Sequence, residues 1–104
     1  MLNPNFNLFL ATGSKQYLEM LLTCNQKNIL ISYAYPEPWS LKPLMKRNGI
    51  NLICDSGAFT AWSLANKKKR AGDPNWSKYL VDREKYYEFI LKHKDIIGRA
   101  VNLD

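Results

Sequence analysis

The chain has 104 residues, 46% of them apolar and 23% charged, a balance that excludes a disordered or fibrous polypeptide and allows one domain with a modest core. Fifteen Lys and Arg against nine Asp and Glu give a formal charge of +6, which favours polyanionic partners such as nucleic acid or phosphorylated ligands. No apolar run reaches the length of a membrane span, and the opening MLNPNFNLFLATGSK lacks the basic start and long apolar region of a signal peptide, so a cytoplasmic setting without a membrane partner is expected.

The first element expected is a short strand, Phe6 to Thr12, closed by Gly13. A helix follows, capped by Ser14, with Tyr17, Leu18, Leu21 and Leu22 on one face. Asn28 to Tyr35 reads as a second strand, and Ser40 to Gly49 as a short helix that exits through Asn48-Gly49. Pro43 fits there only within the first helical turn. Ile50 to Asp55 is a third strand. After a long excursion, Asp82 opens a helix on which Tyr86, Phe89, Ile90, His93 and Ile97 share a face, and Arg99 to Asp104 reads as a fourth strand.

Alternating strands and helices with near-continuous apolar strands predict an α/β fold of right-handed, parallel (β/α) units. A closed eight-unit barrel takes about 250 residues, so four strands and about three helices amount to roughly half of a TIM-type barrel. Residues 1–104 are therefore expected to form a single N-terminal half-barrel segment, truncated or split from a longer barrel.

The third strand ends on Asp55, followed by Ser56 and Gly57. A carboxylate at the edge of a core is costly unless something pairs with it or uses it, and parallel α/β folds place their ligand sites at the carboxyl ends of strands. Asp104 ends the fourth strand at the equivalent place. With a side-chain period of two, Ile53 and Asp55 share one face, as do Asn102 and Asp104. The two carboxylates would meet if those faces line a barrel interior. The alternative is an ordinary turn in which Asp55 bonds to backbone two residues on.

ICDSGAF resembles the Asp-Ser-Gly-Gly-Phe motif of the tRNA-guanine transglycosylase superfamily, and VNLD falls where that family has a second aspartate. The layout FLATGSKQYLE, KNILISYAY and GINLICDSGAFTAW is similar to short phage and bacterial relatives, among them the 7-deazaguanine transglycosylases that modify DNA. The resemblance covers the N-terminal half-barrel and implies exchange of guanine for a 7-deazaguanine base in tRNA or DNA. It implies Asp55 as the proton-handling catalytic carboxylate, Ser56 and Gly57 at the base, and Asp104 as reader of the guanine edge. Ala58 stands in place of the second glycine, and Thr60 where the family commonly has glutamine. The family's nucleophilic aspartate and its zinc site belong to the C-terminal half, so no cofactor is expected in this segment and the chain alone is not expected to complete the exchange. A C-terminal half-barrel chain or a second copy of the protein would be the partner that completes the site.

Asn66 to Lys78 holds four consecutive basic residues, Lys67, Lys68, Lys69 and Arg70, together with Gly72, Pro74 and Trp76. The stretch reads as a basic loop on the active-site side that either holds nucleic-acid phosphates or is simply solvated. Trp62 and Trp76 are candidates for base stacking or for packing. YAYPEPW, Tyr33 to Trp39, is a rigid loop at the same end, either a ligand wall or a structural cap. Cys24 and Cys54 read as reduced, buried thiols, and with His93 the only histidine no metal site is expected. Two other functions fit the same residues. One is a non-catalytic α/β module binding nucleic acid or nucleotide. The other is a different (β/α)-barrel enzyme using Asp55 and Asp104 on a small substrate.

Overall fold

The structure, a computed structural model, describes residues 8–101. Four strands, β1 (Leu10–Thr12), β2 (Asn28–Ser32), β3 (Asn51–Asp55) and β4 (Ile97–Ala100), form one sheet in the order β1-β2-β3-β4. Each neighbouring pair is parallel. The helices are α1 (Lys15–Thr23), α2 (Lys42–Asn48), α3 (Ala58–Arg70) and α4 (Arg83–Lys92), with short 3₁₀ helices at Glu37–Leu41 and Trp76–Tyr79. The expected parallel α/β unit is the observed one, with four helices rather than three.

Sequential strand order has a consequence for the layers. Right-handed crossovers between successive neighbours place their helices on one side of the sheet. On that side, Leu18, Leu21 and Leu22 of α1, Met45 of α2 and Tyr86 of α4 close over Ile29, Ile31, Leu52 and Cys54. Each fully buried aliphatic side chain there contributes about 1.5–3 kcal/mol. The alternate residues of the strands, Ala11, Leu30, Ile53 and Arg99, stand side by side in the register on the other side, and none of them is fully buried. Asp55 and Ser32, paired in register, end this second row.

Local chemistry explains the boundaries. The Ser14 Oγ accepts the Tyr17 N–H at 3.3 Å, the Asp82 Oδ1 accepts the Lys85 N–H at 3.2 Å, and each caps a helix. Pro43 lies in the first turn of α2, and Gly49 ends that helix with φ 60°. Tyr86 ties α4 to the sheet: its ring is fully buried and its hydroxyl donates to the Val101 carbonyl at 2.8 Å.

Three expectations are corrected. The helix from Asp82 stops at Lys92 instead of running to Ile97; His93 to Ile96 turn, and Ile97 enters β4, two residues before the expected start. Ile96 and Ile97 suit a helical face and a strand equally, so their apolar character did not fix the boundary. The basic stretch is not a loop, because Lys67, Lys68, Lys69 and Arg70 form the last turn of α3, where cations complement the helix dipole. Cys24 is exposed, at the C-terminal cap of α1, while Cys54 is buried. The expected strand residues before Leu8 and the Asn102 to Asp104 end of the fourth strand lie outside the described residues.

Candidate functional site

β3 ends on Asp55, and the chain turns at once into α3. Gly57 makes that elbow possible. Its φ is 73°, and a Cβ there would lie 2.6 Å from the Ala34 Cβ and 2.7 Å from the Ser32 Oγ, a conformation and a gap that only glycine tolerates. The space left by the missing side chain is filled by the end of β2, so the elbow and the start of the Tyr33 to Trp39 loop are held against each other. The Asp55 carbonyl accepts the Tyr33 N–H at 2.7 Å across the same seam.

The Asp55 Oδ2 accepts the Gly57 N–H at 3.0 Å, the local turn foreseen as the alternative to a ligand role. One such bond leaves most of the acceptor capacity of an ionised carboxylate free. The half-buried carboxylate also lines a cleft of about 260 Å³ with Thr12, Gly13, Leu30, Ser32 and Thr60. The cleft therefore sits at the carboxyl ends of β1, β2 and β3, the edge at which parallel folds bind ligands. Its size suits one small ring rather than a whole nucleotide, since ordinary ligand pockets run to about 300–1,000 Å³.

The other expected site residues divide. Ser56 is buried, 3% exposed, and its Oγ accepts the Ala58 N–H at 3.2 Å, so it braces the elbow without lining the cleft. Gly57 is likewise buried beneath Asp55. Asp104 lies outside the described residues. Lys67, Lys68, Lys69 and Arg70 sit at the far end of α3 from Asp55. Lys69 Nζ stands 4.8 Å from the centre of the Trp76 ring, and Lys68 Nζ 5.5 Å from that of Tyr79, contacts that hold the turn after α3 to the helix. Phe59 and Trp62, one helical turn apart on α3, are 79% and 56% exposed.

The titratable groups behind the site are not nucleophiles in waiting. Burial, with a smaller contribution from the neighbouring Asp55 carboxylate, pushes the Cys54 thiol up to about 11. Burial also raises the Tyr86 hydroxyl well above its usual range. Among the described residues no group of three or more His, Cys, Asp or Glu is placed to hold a metal ion, and no helix is long and apolar enough to cross a membrane.

Sequence reading undervalued the region above the Tyr33 to Trp39 loop. A second cleft of about 670 Å³ opens there, lined by Tyr33, Tyr35, Trp39, Leu64, Tyr79 and Phe89 among others. The loop caps the sheet through one residue and lines the clefts through another. Trp39 is buried and donates its Nε1–H to the Ser32 carbonyl at 3.2 Å, as a structural cap does, while Tyr35 is exposed and walls both clefts. The signal lay in the aromatic spacing of YAYPEPW; the opposite wall came from α3, which no apolar periodicity marked. Compared with family models, curated proteins and solved structures, the chain matches none.

Proposed function

We propose that the chain is the base-handling half of a transglycosylase-like enzyme that exchanges guanine for a 7-deazaguanine base in tRNA or DNA. The observation that carries the reading is Asp55: a carboxylate at the carboxyl end of β3, lining a cleft sized for one base, on the elbow where the sequence resembles the transglycosylase motif. Guanine presents N1–H and a 2-amino group side by side, and an ionised carboxylate accepts both, a geometry that adenine and cytosine cannot offer.

Asp55 then handles the proton of the departing and arriving base. Ser56 and Gly57 fix the elbow that aims it, and Asp104, outside the described residues, has the role that the resemblance implies, reader of the guanine edge. Thr12, Ser32 and Thr60 also line the cleft. The attacking group at the sugar comes from a C-terminal half-barrel or a partner copy. Lys67 to Arg70 contribute to holding the phosphate backbone.

The test is exchange of labelled guanine into nucleic acid by the form of the protein that carries the nucleophile. Asp55→Asn keeps size and polarity but removes proton handling, so the rate should fall by about 10²–10⁴, while nucleic-acid affinity changes little. Equal loss of affinity and rate would make Asp55 a binding residue and favour the non-catalytic module. Undiminished exchange would end the proposal.

A further inference from the structure

The crossover from β3 to β4 contains two helices, and α4 is the one that packs on the sheet: its Tyr86 is fully buried in the core, whereas α3 buries only Ala65. The detour from Ala58 to Val81 instead starts at the carboxyl end of β3 and folds back on itself, Lys69 on Trp76 and Lys68 on Tyr79. Between it and the Tyr33 to Trp39 loop lies the 670 Å³ cleft.

Its floor is rigid. Phe89 meets Tyr33 edge-on at 4.9 Å between ring centres and Trp39 at 4.7 Å, a packing that fixes all three rings. The detour supplies Leu64 and Tyr79 as the facing wall. Lys78 and Lys85 also line the cleft against one carboxylate, Asp82, whose Oδ1 accepts the Lys85 backbone N–H as a helix cap. Flat apolar walls with a surplus of ammonium groups match a planar base joined to a phosphate. Tyr35 and Thr60 line this cleft and the Asp55 cleft alike, so the two spaces are neighbours.

We propose that this cleft is a second subsite, taking the nucleotide next to the one whose base enters the Asp55 cleft, with the base against the aromatic walls and its phosphate on Lys78 and Lys85. The proposal rests on the base-exchange reading for the occupant of the neighbouring cleft. A base can enter such a slot only when unstacked, so the substrate is a single strand or an unpaired loop rather than a continuous duplex. A free nucleotide has the same chemistry, and the test must separate the two sources.

The full 104-residue chain is titrated against a labelled single-stranded octamer containing guanine, the matching duplex, and a guanosine monophosphate competitor. The octamer should bind more tightly than the duplex. Leu64→Trp, which fills the cleft from an exposed position, should weaken octamer binding about tenfold, the scale of one lost base stack. Lys78→Ser with Lys85→Ser should reduce the slope of log affinity against log salt by about 0.7, the value for one phosphate of a single strand. Thermal unfolding of each variant shows that the fold is retained. Duplex binding as tight as the octamer, or octamer binding indifferent to all three substitutions, overturns the proposal. Binding of the monophosphate without the octamer also overturns it, and assigns the cleft to a free nucleotide. Should Asp55→Asn leave exchange intact while these octamer results hold, only the catalytic reading falls.

Discussion

Replacing Gly57 by Ala tests the elbow on which Asp55 depends. The methyl group would meet Ala34 Cβ at 2.6 Å and Ser32 Oγ at 2.7 Å, with the Ala34 backbone nitrogen at 3.2 Å. None of these is the yielding tip of a long side chain, so β2 and the elbow must separate. Left-handed backbone costs alanine about 1–2 kcal/mol, and a forced methyl in a filled space about 1–3 kcal/mol. The expected loss is about 2–5 kcal/mol, a large share of the roughly 5–15 kcal/mol that holds a domain together. Gly49 supplies the control: it has φ 60° but nothing within 4 Å of a Cβ. Gly49→Ala should therefore cost only the backbone part, about 1 kcal/mol. Urea unfolding of both variants reads the difference through the midpoint at constant slope. Losses within about 0.5 kcal/mol of each other, below the packing cost expected for a forced methyl, would refute the claim that β2 closes on the elbow.

Tyr86→Phe removes the 2.8 Å hydrogen bond to the Val101 carbonyl and should cost about 1 kcal/mol, with hydrogen exchange speeding up first at the Val101 amide that bonds the Cys54 carbonyl. His93 packs against Trp39 and Phe89, and burial, then Lys42 and Lys92, lowers its pKa below the usual 6.5. Just below that value the unfolded chain holds a proton that the folded chain does not, so stability should rise as pH increases through this window and level off above it; His93→Gln should flatten the rise. A thiol reagent should label Cys24 quickly, and Cys54 only as fast as the fold opens, because burial raises the Cys54 thiol to about 11.

Much of the scaffold was legible because its signals are local. Ser14, Pro43, Gly49 and Asp82 mark helix ends by their own chemistry, and apolar runs such as NILIS and NLICD mark buried strands. The exposed helix α3 escaped for the opposite reason. It buries only Ala65, so no apolar stripe runs along it, and it is held by contacts made after the chain turns back, Lys69 on Trp76 and Lys68 on Tyr79. The position of Asp55 could be read from the end of an apolar run, but its setting could not. Parallel pairing with β2 brings Ser32 beside it, and Gly57 brings Ala34 against the elbow, and such partners more than twenty residues away leave no trace in spacing. The large cleft is likewise a product of two segments, only one of which, YAYPEPW, announced itself.

The central claim is that Asp55 and the cleft around it receive a guanine-like base. It is tested most directly by titrating the isotopically labelled chain with 7-deazaguanine and following backbone amide resonances. Shifts should concentrate at Thr12, Gly13, Ser32, Gly57 and Thr60, and Asp55→Asn, which removes proton handling but keeps size and polarity, should leave that pattern in place. Shifts centred on the helix-covered side of the sheet, or no shifts in this group, would contradict it.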